Sequence, residues 1–270
     1  MGTAVKPKIV LLGQKDPAKE IELSPEEGPV ESRLAVVQDM WGGGNLTPFD
    51  SPFASRAVGA LAPAKSTSIG ALCHHLGRRL FAFSRESGIW IDAYEADAAL
   101  SRLEKRPKDK VKLMSWTPGS GQLGNRRFTH LAVLSPSRLK GAQETLVREA
   151  AKALKPEGCL FLADLMCDDR KMSHAGLPKL YARQQYRDWL EKAGLEFYNE
   201  HALSGDVRVA LLRGLASSVN MLANVKKLQD PWRSQRFKAF RQELDAVVTL
   251  HTAMERGDVA AHGLLYIKKA

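Results

Sequence analysis

At 270 residues the chain has room for one sizeable α/β domain with embellishments, or for two small domains. Its 44% hydrophobic and 26% charged residues exclude a disordered chain, and no run of about 18 apolar residues offers a membrane-spanning helix. Lys and Arg outnumber Asp and Glu by 40 to 30, a formal charge of +10. That excess admits an anionic partner, but no long block of like charge turns it into a dedicated binding tail.

Cys73, Cys159 and Cys167 stand at spacings that match neither a disulfide framework nor a metal ligand set. No metal site is therefore expected, and a reducing, cytoplasmic compartment is. The opening MGTAVKPKIVLLGQKD has a short apolar patch between charges and no small-residue cleavage site, so it is not read as a secretory leader.

Residues 1–33 mix Pro, Lys and Glu with one apolar run from Ile9 to Leu12, and read as an extended N-terminal arm with room for an edge strand. Residues 34–64 form a second segment. RLAVVQDMW is helical in pattern and Gly42 to Gly44 stop it. Pro48 and Pro52 keep the link irregular until a short helix from Phe53 to Leu61. From Lys65 the pattern alternates. TSIGAL, GIWIDAYE, VKLMSW, THLAVLS and GCLFLADLM are short apolar runs, with helical patterns between them near 74–86, 97–105 and 141–154. Strands alternating with helices predict βαβ units and a mostly parallel sheet covered on both faces. The link from Trp116 to Phe128 has little helical character, so one crossover helix is expected to be missing or very short.

Beyond Met166, LYARQQYRDWLEKAGL predicts an amphipathic helix ended by Gly194, and EFYNEHAL a strand. Residues 207–255 are helical in pattern and precede a last strand, GLLYIKKA. The economical division is one domain over 65–270 with a helical insertion at about 207–255. In that insertion Phe237, Phe240, Leu244 and Val248 fall at helical spacing, which predicts a buried stripe with Arg233 and Lys238 left in solvent.

The order strand, turn, helix, and a second strand closed by Glu95, followed later by LKPEGCLFLADLM, resembles the class I S-adenosylmethionine-dependent methyltransferases. It is closest to the small-molecule type that methylates amines, phenols or quinones. MWGGGNLTPFDS is similar to the N-terminal lid of that group, which carries a Trp/Tyr-Gly-x-Gly pattern before a proline. The resemblance covers roughly residues 34–270. It implies a Rossmann-like, seven-stranded sheet whose last strand runs antiparallel, S-adenosylmethionine as cofactor, and a small-molecule acceptor.

Carried over residue by residue, the resemblance makes Glu95 the acceptor for the ribose hydroxyls, a task suited to two carboxylate oxygens. Trp116 falls where the adenine ring is flanked, Ser135 where cofactor and acceptor meet, and Trp41 in the lid. Each residue also has a plainer reading: Glu95 as a solvated strand end, Trp116 as core. The family's turn after the first strand departs most. Its acidic position falls on Ala71, and its three glycines fall on Cys73, His75 and Gly77, of which only Gly77 is kept. A histidine at a glycine position fills space that the cofactor uses and disfavours positive φ. Cys73 reads as a buried small hydrophobe, because the sequence supplies no dedicated base, and no catalytic residue is identified.

Two functions follow: methyl transfer to a small molecule with an altered cradle, or a catalytically inactive pseudo-methyltransferase. The latter would act as a binding, scaffold or regulatory partner of an active relative. A dinucleotide-binding dehydrogenase is excluded because it needs glycine at the same turn, and no GxxxxGK[ST] phosphate loop occurs.

Overall fold

The computed structural model describes residues 8–9, 21–22, 29–41, 47–62, 68–73, 84–85, 87–96, 110–125, 127–139, 141–167, 179–226 and 232–270. Two short strands, β1 (Lys8–Ile9) and β2 (Ile21–Glu22), pair with each other. Helix α1 (Pro29–Trp41) starts on a proline, whose missing N–H is not needed in a first turn. It begins earlier than the helical pattern from Arg33 suggests. Helix α2 (Asp50–Leu61) follows.

The sheet comprises β3 (Ser68–Cys73), β4 (Trp90–Glu95), β5 (Val111–Ser115), β6 (Phe128–Leu134), β7 (Leu154–Cys167), β9 (Leu195–Ala202) and β10 (Val259–Lys268), in the spatial order β5-β4-β3-β6-β7-β10-β9. A two-residue strand, β8 (Tyr181–Ala182), adds to β7 from the side. The pairs from β5 through β7 are parallel, and β10 is antiparallel to both neighbours. The chain therefore has the mixed α/β architecture that the strand pattern predicts. Its order reverses between β3 and β6, which is the point where open α/β sheets take ligands.

Period-2 alternation sorts the strand residues to two faces. Ile69, Ala71, Ala132, Leu134, Ala163 and Leu165 meet α1, α2, α5 (Ser204–Lys226) and α6 (Trp232–Glu255). Leu72, Leu131, Val133, Leu160, Leu162 and Leu264 meet α3 (Gln143–Ala153) and α4 (Arg183–Lys192). The link before β6 holds no helix among its described residues. Its turns are instead pinned to α3, where Glu149 accepts from the N–H groups of Gly119 (2.8 Å) and Gly121 (3.0 Å). The patterns near 74–86 and 97–105 lie almost wholly outside the described residues.

β10 starts at Val259, upstream of the GLLYIKKA run. Its Gly263 faces the ring of Phe161, where an added Cβ would fall 2.4 Å from Cζ. That close approach explains a glycine inside a central strand.

The helical insertion corrects one expectation. Phe240 is buried and Leu244 half-buried, but Phe237 and Val248 are 43% and 50% exposed. The face of α6 turned to the protein runs instead through Phe240, Val247, Leu250 and Met254. The two candidate stripes share Phe240 and differ by a small rotation of the helix. Packing against α1 and α5 selects the second. Arg233 and Lys238 are exposed, as the pattern indicates.

Candidate ligand site at the carboxyl ends of the parallel strands

Because β3, β4 and β6 run parallel, their carboxyl ends converge on one edge. Cys73 and Glu95 are register partners there. Both are fully buried. The Cys73 thiol lies 3.7 Å from Glu95 Oε2 and 3.5 Å from the carbonyl of Tyr94. Burial pushes the thiol well above its ordinary range, and the neighbouring Glu95 and Asp50 carboxylates push it further. A thiol held protonated in this way donates to a carboxylate and does not act as a nucleophile.

Ala71, two residues earlier on the same face, is 2% exposed and packs in a small apolar cavity with Ala54 and Ala57 of α2, Ile69, Ile91 and Ala132. Asp50, the first residue of α2, accepts from the N–H of Thr47 at 3.0 Å and from the Thr47 hydroxyl, which closes the turn that enters the helix. His75 and Gly77 lie outside the described residues.

Ser135 follows β6 in a left-handed conformation, φ 54° and ψ 51°. Its N–H reaches the carbonyl of Ala163 at 2.8 Å. Its hydroxyl is buried with no hydrogen-bond partner among the described residues. Pro136 then opens a tight 3-10 turn to Arg138. Beneath that turn sits a group the sequence reading missed. Asp164, inside the apolar run of β7, accepts from Ser137 N–H (2.8 Å), Ser137 Oγ (2.7 Å), Leu165 N–H (2.9 Å) and the Tyr186 hydroxyl (2.7 Å). Burial pushes its pKa up to about 6, although these four donors favour the ionised form. A lone carboxylate in an otherwise apolar strand was the available signal, since such a group must find partners.

The side chains of the remaining described candidates turn to other parts of the core. Trp116 is buried in the opposite face's cluster with Leu72, Tyr94 and Leu123. Its backbone N–H pairs with the carbonyl of Glu95 at 3.1 Å. Trp41 reaches across the insertion. Its ring covers Gly214 of α5, where an added Cβ would fall 2.1 Å from Cζ3, and its Nε1 donates to Glu243 of α6 at 3.3 Å. The structure thus brings Cys73 and Glu95 together but ties Trp41 to α5 and α6. Among the described residues no cluster of His, Cys, Asp and Glu could hold a metal, and no helix is long and apolar enough to cross a membrane.

No protein-family model matches the chain, and no curated protein matches it in sequence. Solved structures do match in fold. The 4+2 cyclase SpnF superposes with a TM-score of 0.63 at 13% identity, over 80% of each chain. A phosphoethanolamine N-methyltransferase from Haemonchus contortus, solved with phosphomonomethylethanolamine and S-adenosylhomocysteine, gives 0.68 at 11% identity over 90% of this chain and 58% of its own. An S-adenosylmethionine-dependent methyltransferase from Thiobacillus denitrificans, solved with S-adenosylhomocysteine, gives 0.61 at 12% identity over 87% and 97%. The fold is that of the class I methyltransferases.

Proposed function

We propose that this chain is a binding or regulatory protein built on the class I methyltransferase fold, with its donor position closed by its own side chains. The observation that carries this reading is the Cys73–Glu95 contact. At the position where the resemblance places the first cradle glycine, Cys73 contributes a side chain whose sulfur lies 3.7 Å from the fully buried Glu95 carboxylate. Ribose hydroxyls would have to displace that thiol before Glu95 could accept from them.

Ala71 adds to this. Where the resemblance places a carboxylate for the cofactor's amino end, a methyl group packs against α2. One missing charge-assisted hydrogen bond is worth about 1.5–3 kcal/mol, or roughly ten- to a hundredfold in affinity. The described residues therefore do not fit S-adenosylmethionine as a tightly held cofactor. A fold carries no activity by itself, and its match to a 4+2 cyclase agrees with that separation.

Such a protein serves as the ligand-binding or stabilising partner of an active relative, and its excess of 10 positive charges favours an anionic partner surface. The second reading is methyl transfer to a small-molecule acceptor. It is favoured by the acidic residue kept at the end of β4, Glu95, and by the fold match to enzymes solved with S-adenosylhomocysteine.

Calorimetric titration of the unmodified protein with S-adenosylmethionine separates the two. We expect no binding at micromolar concentration, and a gain of binding in the combined Ala71→Asp, Cys73→Gly and His75→Gly variant. Micromolar binding by the unmodified chain would put the enzyme ahead.

A further inference from the structure

Helix α5 carries two apolar seams, and the fold uses one. Val207, Leu211, Gly214, Ser218, Met221 and Val225 are buried, on the side that packs against α1, α6 and β10. At about 100° per residue, Val209 projects about 200° away from Val207. From there a second seam runs through Val209, Leu212, Ala216, Val219 and Ala223, at the alternating three- and four-residue steps of a coiled-coil contact. All five are exposed, Val209 to 49%, Leu212 to 55% and Val219 to 71%. Single exposed apolar residues need no explanation, but a contiguous row of them marks a contact surface.

Charge points the same way. Arg213 is the only charged residue from Val209 to Val225, in a chain whose residues are 26% charged. A row cleared of charge, flanked by neutral Ser217, Asn220 and Asn224, has the composition of a protein contact. A helix that lies on an anionic membrane is bordered by lysine and arginine instead.

The order of residues in the seam selects the occupant. Turned about a two-fold axis at Ala216, the helix matches itself: Val209 meets Ala223 of the second copy, Leu212 meets Val219, and Ala216 meets Ala216. The small residue at the centre lets the two backbones approach. Asp206 and Lys226 lie ten residues to either side of Ala216, so the same rotation sets each carboxylate beside the other copy's ammonium. Within its own chain Asp206 has only a loose surface pair, with Arg56 at 3.8 Å, which leaves room for a second cation. Val209 to Ala223 spans about 21 Å, too little by itself for the roughly 800 Å² that each partner of a stable dimer buries. A groove of about 590 Å³ between α2 and α5, with Val209 and Arg213 in its wall, adds a second element to the contact.

We propose that α5 is the interface of a two-fold, antiparallel dimer of this chain. One helix face and a groove give a contact at the small end of the range, so the dimer forms reversibly, with a dissociation constant of the order of 10 μM. The interface uses none of the residues at the carboxyl ends of the strands and is independent of either reading of the donor position.

Sedimentation velocity of the full chain from about 1 to about 200 μM should show the mass rising from one chain to two by mass action. Ala216→Glu sets two carboxylates against each other on the axis. It should weaken dimerisation at least about tenfold with the circular dichroism unchanged, because Ala216 is exposed. Cysteine reads the register. Under mild oxidation, with the unmodified chain as control, Ala216→Cys should give a disulfide-linked dimer. Val209→Cys should not, since its two copies lie about 20 Å apart along the helix axis. A chain that stays monomeric at the highest concentration overturns the proposal, whether it then binds vesicles, an unrelated protein or neither. A dimer that survives Ala216→Glu, or equal cross-linking at positions 209 and 216, overturns it as well. Should Ala216→Glu fail to fold, the two cysteine variants decide.

Discussion

The two halves of the sheet treat their polar groups differently. In β5, β4 and β3, strands of five and six residues, the ligand edge is satisfied from within. Cys73 meets Glu95, and Ala71 is packed under α2. In the other half β7 and β10 run for 14 and 10 residues. Buried polar groups there are organised to hold a turn in place. Asp164 fixes Ser137, and Glu200 on β9 ties Arg183 and Arg187 of α4 to the sheet edge. The consequence is a turn fixed from beneath, with the buried Ser135 hydroxyl left without a partner among the described residues. In the first half the described strand ends pack against one another, and in the second a buried carboxylate gathers four donors around one turn.

The largest expected effect tests the rigid half. Asp164→Ala leaves two buried and two part-buried donors without this acceptor and should cost about 3–5 kcal/mol in denaturant unfolding. A loss below about 1 kcal/mol would mean that water replaces the carboxylate and that the turn after β6 is not anchored as described.

Next comes the helical cover over both halves. Phe240→Ala should cost about 3 kcal/mol or more, as large buried truncations do. Phe237→Ala should stay within about 0.5 kcal/mol, because that ring is largely in solvent. Equal losses at both positions would restore the stripe that the sequence suggests.

That stripe shows where the sequence stops being sufficient. Alternating apolar runs locate the strands to within a few residues, because fully buried parallel strands leave little choice of residue type. Helix phase is different. Phe237, Phe240, Leu244 and Val248 satisfy helical spacing as well as the observed face does, and only contact with α1 and α5 selects between them. Trp41 was legible as the end of a helix before a glycine run but not as a ring seated on Gly214, a pairing between residues far apart in the chain. Asp164 and Ser137 were passed over for a related reason. Their significance depends on which donors and acceptors surround them, and local sequence does not encode that. Ala71 and Cys73 were legible as departures from a pattern, whereas the thiol's partner became visible only in the strand register.

The pH dependence of the rigid half gives a smaller effect with a definite sign. Burial raises the Asp164 pKa to about 6, above its unfolded value, so the folded protein holds that proton more tightly. Its contribution is fully present below about pH 4 and is lost as pH rises through about 6, to the extent of about 3 kcal/mol. Comparing unfolding free energies of the unmodified chain and Asp164→Asn across pH 4–7.5 isolates it from other carboxylates. The difference, unmodified minus variant, should fall with rising pH. A difference that rises would mean that the four donors outweigh burial.

The smallest effect tests the first half. Cys73→Ala removes one sulfur atom and a weak donor, and Glu95 keeps other interactions. The expected cost is therefore at most about 1 kcal/mol, well below that of Asp164→Ala. The same residue gives a kinetic reading. Cys73 and Cys167 are buried and Cys159 half-buried. Iodoacetamide at pH 8, followed by peptide mass analysis, should label Cys159 first and spare Cys73 until the chain unfolds. The Cys73 thiol is shielded from reagent and held protonated by burial, with Glu95 and Asp50 adding to the shift. Cys73 labelling in the native protein at the rate of Cys159 would show that the end of β3 is open to small molecules. The first half of the sheet would then have a ligand entrance of its own, and the contrast between the halves would vanish.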